Sequence, residues 1–314
     1  FEAQIMEMGL GAWVKGVGSI ELTTFTWGHF GVFPLEADTT RPNGGTFAWA
    51  NRRPPEVFAD VRARRENPTL VINHPRGGMQ TGSYFDAAGY DRTTGRASRE
   101  GYWDERFTAV EFFNSASFEE AHRPDRDLVG DWFSFLNRGR RVFAVGSSDS
   151  HGVNPNSPVG YPRTCMLLGT DAPRMASPQA IGTAVGTGRS VISGGVYLDV
   201  EASPGTGAMT TAGPGQELTG AGATARVRIR AQAPAWVNAQ RLEVFVDGTS
   251  VMTIPLTDTT RDPMNAAVRY RGEVTVPVAA GGSWVIVAAH GAELLPVFAG
   301  NQAFGVSNPI FLRR

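Results

Sequence analysis

The sequence predicts an α/β fold: a parallel, barrel-like sheet over residues 1–197, then a small antiparallel β-sandwich over 198–314. Three observations predict it. Strand-like and helix-like segments alternate up to about residue 197, the pattern of a parallel sheet with crossover helices. Composition shifts near residue 198 to short β-runs and turns without helical signals. Reactive side chains fall at or just past the C-terminal ends of the early strands, where barrel folds carry their active sites.

The elements follow in order. An amphipathic start (1–14) precedes the strand-like runs GSIELTT (18–24) and HFGVFPL (29–35). Pro54 and Pro55 open a helix to about Arg65, with Val57, Phe58 and Val61 on one face. TLVINHP (69–75) is a buried strand stopped by Pro75, and the polar, Gly-rich stretch 77–104 reads as an excursion over an active face. FTAVEFFN (107–114) is a strand, Asp125–Asn137 a helix, RVFAVGSSDSH (141–151) a strand entering a turn, RTCMLLG (163–169) a strand and Pro178–Thr187 a helix. Beyond 198, ARVRIRA (225–231) alternates, and LEVFVDGTSVMTI (242–254) is a hairpin turning at Asp247-Gly248. EVTVPV, SWVIVAA and NPIFL complete the second domain.

Composition narrows the function. The 314 residues are 41% hydrophobic and 19% charged, enough for packed cores and too ordered a text for disorder. Net charge is −1 and no basic stripe stands out, which argues against a nucleic-acid partner. No apolar run is long enough to span a membrane, and no signal peptide is visible. Phe1, Ile5 and Leu10 lie at near-helical spacing, as if the chain opened mid-helix, so a further segment is expected upstream of Phe1. An extracytoplasmic location would follow if that segment carried a signal peptide. The single Cys165 sits mid-strand in apolar company and reads as core.

The chemistry-bearing signals are four. In GSSDSHG (146–152), Asp149 and His151 stand two apart, on one side of an extended backbone, and together suit a divalent cation. The competing reading is an Asp–His hydrogen bond in a turn. In INHPRG (72–77), His74 ends a buried strand and Arg76 is placed to meet an anion; a structural histidine is the alternative. Glu21 and Glu111 are carboxylates within segments bound for burial, where a carboxylate needs a cationic partner or a metal. Either could instead face solvent. His29 reads as a ligand, a substrate contact or a donor holding a metal ligand. Asn114 and Arg163 are plausible liners of the same face, whereas His122 reads as solvated and His290 as structural. The GSSDS run lacks G-x-S-x-G spacing, which excludes a nucleophile elbow.

These segments carry a resemblance. IELTT…GHFGVFPL, INHPRG, VEFFNS, GSSDSHG…GYPRT, GRSVISGG and SNPIFL resemble the PHP superfamily, in its CehA/McbA-like metallohydrolase branch, over nearly the whole chain. The resemblance implies a distorted (β/α)7 barrel, here without its N-terminal strands, holding two or three divalent metals (zinc, manganese or iron). It implies hydrolysis of a small phosphoester, carboxylic ester or carbamate. Glu21 then resembles a bridging acid, His74 and Glu111 resemble ligands of an outer metal, and Asp149 and His151 resemble the last ligand pair. His151 or His29 would relay a proton and Arg76 would orient an anionic substrate. The family's H-x-H strand and following histidine are absent, so an N-terminal segment or a second chain is expected to complete the site. The rival from another class is a degenerate scaffold whose β-sandwich binds a partner or a glycan, with Trp27, Trp103 and Trp236 exposed in loops.

Overall fold

A computed structural model of the chain describes residues 2–77, 82–152, 158–206, 210–294 and 297–314, without the side chains of residues 42 and 43. In chain order it forms α1 (Glu2–Glu7), β1 (Ile20–Thr23), β2 (His29–Phe33), α2 (Pro54–Arg62), β3 (Thr69–Asn73), α3 (Tyr84–Ala88), β4 (Tyr90–Asp91), β5 (Arg96–Ala97) and β6 (Ala109–Asn114). There follow α4 (Phe118–Ala121), α5 (Leu128–Asn137), β7 (Phe143–Ser147), β8 (Arg163–Met166), α6 (Pro178–Gly186), β9 (Ser190–Gly194) and β10 (Tyr197–Pro204). The rest is β11 (Glu217–Leu218), β12 (Thr224–Gln232), β13 (Ala239–Val246), β14 (Thr249–Pro255), β15 (Val268–Pro277), β16 (Ser283–Leu294), β17 (Phe298–Ser307) and β18 (Ile310–Leu312). Two compact units result: Phe1–Glu111 with Met166–Thr187, and Phe112–Cys165 with Gly188–Arg314.

The expected (β/α)7 barrel is not what forms. Strand makes up 37% and helix 17%, in several sheets with six helices among the described residues. In the first unit β1 pairs antiparallel with β2, and β2 antiparallel with β3; only β3 and β6 run parallel there, with Val71 opposite Ala109. The reason is local. The turn Thr24–Gly28 joins β1 to β2 directly, and a crossover helix does not fit in so short a link. The alternation in the sequence is real, but α1 buries nothing, and α3 and α4 are single turns.

The first unit's core follows from period-two burial. Leu22, Phe30, Val32, Leu70 and Ile72 face inward, against α2 through Val57, Phe58 and Val61. Phe30 meets Phe58 edge-on with ring centroids 4.9 Å apart, and Trp27 and Tyr84 close the same cluster. Helix α6 lies on β3, where Thr69 Oγ1 donates to the Gly182 carbonyl. A Cβ on Gly182 would stand 2.7 Å from Pro34, so glycine permits that approach. The excursion 77–104 contains α3 and the β4–β5 hairpin; its residues 78–81 lie outside the described ones.

One ion pair near α2 sets a pH response. Glu66 is buried, and its Oε1 accepts from Arg64 Nη2 at 2.6 Å and from the Glu36 N–H at 3.0 Å. The Arg64 guanidinium outweighs burial and holds the carboxyl down from 4.5 to about 2. A folded-state pKa below the unfolded one gives stability that is complete above about pH 4.5 and is lost as pH falls toward about 2. Glu66→Gln is therefore expected to flatten the acid limb of stability against pH across that window, as read by urea denaturation at fixed pH steps.

The second unit is built on two sheets. One has the order β10-β12-β15, antiparallel throughout, with one register shift between β12 and β15. Its strands alternate, burying Val200, Val227 and Ile229. The other runs β11-β18-β16-β17-β9-β8, with β13 and β14 joined at β16. In β16, Ser283 to His290 are buried without alternation, because both faces are covered. The outer cover is α4 and α5: Phe118 stacks on Phe245, and Phe133 meets both Phe245 and Trp284. The composition shift near residue 198 coincides with the start of β10. The hairpin turn falls at Asp247-Gly248, both with φ positive (51° and 85°), as a tight turn of this hand requires.

Asn308 organises this unit. Wholly buried, its Oδ1 accepts from the Ala144 N–H at 2.7 Å, while its Nδ2 donates to the Ala144 carbonyl at 3.1 Å and to Ser190 Oγ at 3.0 Å. One amide thus ties β7 to the head of β9 from the turn before β18. His290 is also buried, with Nδ1 2.7 Å from Glu119 Oε1 and Nε2 3.2 Å from Glu243 Oε2. No described helix is long and apolar enough to cross a membrane.

Candidate metal centre

The antiparallel registers place side chains in rows. Glu21 stands opposite Gly31, and Gly31 opposite Val71; in the next row Thr23 faces His29, and His29 faces Asn73. Directly opposite residues share a face. Since Leu22, Phe30 and Ile72 take the core face, Glu21, Thr23, His29 and Asn73 share the other. His74 follows Asn73 as the chain leaves β3. His74 follows the C-terminal end of β3, as expected, but Glu21 is the second residue of β1 and not at its end, and His29 begins an antiparallel strand and joins them from the opposite direction.

Each side chain is held locally. The β1–β2 turn closes by Thr24 Oγ1 donating to the Gly28 carbonyl at 2.7 Å, and buried Trp27 anchors it. Gly28 has φ 115°, and a Cβ there would come 2.9 Å from the Tyr84 backbone. Glu21 accepts from Thr23 Oγ1 and from Asn73 Nδ2, each at 2.9 Å. Asn73 Oδ1 in turn accepts from the Gly31 N–H at 3.2 Å. His74 has φ 25°, a region that L-residues avoid, all the more before proline. Its N–H donates to Glu111 Oε2 at 2.7 Å, and Glu111 is only 5% exposed. A buried carboxylate on β6 therefore fixes the strained turn that aims the imidazole.

The result is a group of three donors. Oxygen of Glu21, nitrogen of His29 and nitrogen of His74 all lie within 4.8 Å of one another. Glu21 Oε1 is 3.6 Å from His29 Nδ1 and 3.8 Å from His74 Nε2. These separations exceed hydrogen-bond length. They are close to the edge of a coordination tetrahedron, about 3.4 Å for bonds near 2.1 Å. Small inward movements would bring all three onto one ion. The facing His74 imidazole, helped by the Asn73 and Thr23 hydrogen bonds and opposed by partial burial, holds the Glu21 carboxyl down from 4.5 to about 2. The acid is thus ionised, as a ligand must be.

The other expected site residues are placed differently. Glu111 supports His74 through its backbone. Arg76 clamps the following segment: Nη1 donates to Asp86 Oδ1 at 3.0 Å, Nη2 to the Tyr90 carbonyl at 2.9 Å, and its guanidinium lies over the Phe85 and Tyr90 rings. Asp149 and His151 belong to the second unit and are 3.2 Å apart. They do not meet as i and i+2 of an extended strand, because Asp149 has φ 45° and the backbone turns there. Asn114 Nδ2 donates to Asp149 Oδ2, and His151 is 86% exposed at the side chain. Residues 153–157, beyond it, lie outside the described ones. His122 pairs with Asp127 at 2.6 Å, and Arg163 is exposed. Of the aromatics taken as exposed, Trp27 is buried, Trp103 is stacked between Tyr84 and Tyr90, and Trp236 is open to solvent.

Three residues of the site went unnoticed in the sequence: Thr23, Gly31 and Asn73. The signal was present, since Asn73 is a polar residue closing an apolar strand beside His74. Its role becomes readable only once the register brings Gly31 beneath its amide. No family model matches the chain, and no curated protein matches it.

Proposed function

We propose that the chain is a divalent-metal-dependent hydrolase acting on phosphoester or carboxylic and carbamate ester bonds, with Glu21, His29 and His74 as metal donors. The observation that carries it is the triad: one ionised carboxylate and two imidazoles, spaced as ligands and held by a neighbouring shell. This mixed oxygen and nitrogen set suits zinc, manganese or iron. A divalent ion bound there would activate water and polarise the scissile bond. Three protein donors leave a coordination position for substrate. The side chains are a fifth to two-fifths exposed, so a substrate can reach them. Within the chain, Asn73 and Thr23 orient the Glu21 carboxylate, and Glu111 sets the direction of His74. The similarity of INHPRG and GSSDSHG to PHP-type metallohydrolases supports the same reading of the chemistry.

The test is metal analysis with activity. After reconstitution with Zn²⁺, Mn²⁺ or Fe²⁺ and desalting, about one equivalent or more is expected to remain bound. Hydrolysis of bis-p-nitrophenyl phosphate or p-nitrophenyl acetate should rise with it. Metal well below one equivalent, with no hydrolysis of either ester, would overturn the proposal. Gly31 offers a finer check. A Cβ there would stand 3.2 Å from Asn73 Oδ1 and push the amide away from Glu21. Gly31→Ala is expected to leave the fold intact and weaken metal binding about tenfold, measured by chelator competition.

A further inference from the structure

On the second unit, a cavity of about 490 Å³ opens between the β12–β13 loop, the segment after β14 and the start of β15. That is the size of a small-ligand site. Its lining includes Trp236, Asn238, Leu256, Asp258, Arg261 and Arg269.

Arg269 is the unusual member. It is 6% exposed, yet no carboxylate among the described residues pairs with it; Nη2 donates to the carbonyls of Pro234 and Val237, and Nε is buried without a hydrogen bond. A buried guanidinium normally finds an anion. Burial and the nearby charge of Arg261 both disfavour its protonated form. Among the described residues the cavity lining holds two arginines and one acid, Asp258. Arg261 itself pairs with Asp258, at 3.3 Å, and Asp258 is 93% exposed, a pair worth little in water. The backbone shows how Arg269 comes to lie there. Between β12 and β15, Ala231 opposes Tyr270 and Gln232 opposes Val268, so Arg269 is the extra residue of a β-bulge. Bulges break the in–out alternation and re-aim a side chain; Val268 and Arg269 are accordingly both buried. Beside the two arginines, Trp236 is 45% exposed and offers a flat apolar surface.

We infer that this cavity binds a ring-bearing carboxylate, its anion taken by Arg269 and Arg261 and its ring laid against Trp236. Arginine forks match carboxylate geometry, and an indole face accepts a sugar or aromatic ring. Two sources share that chemistry: a uronic acid and an aromatic acid. The site is independent of the Glu21 donors.

The experiment is calorimetric titration of the full chain, in chelator to keep metal out, with sodium glucuronate, sodium benzoate and glucose. At least one carboxylate is expected to bind about tenfold or more tightly than glucose. Trp236→Ala and Arg261→Ala, both exposed changes, should each weaken it about fivefold or more with unchanged circular dichroism. Arg269→Lys keeps the charge but loses the fork and should weaken it as well; if that variant unfolds, the two exposed ones decide. Which acid binds identifies the source. Failure of both acids to bind, equal binding of glucose, or binding untouched by Trp236→Ala and Arg261→Ala would overturn the inference.

Discussion

His74→Ala is expected to abolish hydrolysis and to weaken metal binding by more than about a hundredfold, since changes in the supporting shell alone cost 10–100-fold. In the proposed site the imidazole is one of three donors, and none of the other described His, Cys, Asp or Glu side chains joins that group. Stability should move separately. At φ 25° an alanine keeps the backbone strain and loses the imidazole, whereas a glycine releases the strain. His74→Gly should therefore be more stable than His74→Ala by about 1 kcal/mol while binding metal equally poorly. Chelator competition beside urea denaturation checks both statements. Equal metal affinity in wild type and His74→Ala would remove His74 from the site.

The largest expected effect on stability lies in the second unit, at Asn308. Asn308→Leu fills similar space but deprives the Ala144 N–H and carbonyl of their side-chain partner, along with Ser190 Oγ. Each buried polar group left unpaired costs about 1–3 kcal/mol. A loss of about 3 kcal/mol or more is expected in the urea-derived stability of that transition. Asn308→Asp should be no better. Its Oδ1 can still accept from the Ala144 N–H, but its second oxygen would face the Ala144 and Ser190 carbonyls, where Nδ2 now donates. A neutral result for Asn308→Leu would mean that β7 and β9 do not depend on this amide.

Much of the local structure was legible in the sequence, and the assembly was not. The runs around Glu21, His29, His74 and Glu111 do form strands, within a few residues of their expected ends, because period-two burial is written in the residues themselves. Strand direction is not so written. GSIELTT and HFGVFPL read equally well as parallel or antiparallel, and the short turn at Trp27 decides for antiparallel. That choice sets His29 beside Glu21, 3.6 Å from its carboxylate, where the sequence left it as a ligand, a substrate contact or a supporting donor. Arg76 shows the converse. Its position after His-Pro suggested an anion contact, but Asp86, ten residues on, meets it once α3 forms. The bulge at Arg269 left no trace in the pattern, since an extra residue in one strand is visible only against its partner.

The hydrogen bond from Thr69 to Gly182 spans 113 residues of chain. A ribosome delivers Thr69 long before Gly182 exists. Until then β3 and the approach to Pro34 lack their covering helix, so the first unit emerges first and finishes late. Contacts of such long sequence separation slow folding. The nascent chain must carry an unfinished core while most of another unit's early strands and helices are still being made.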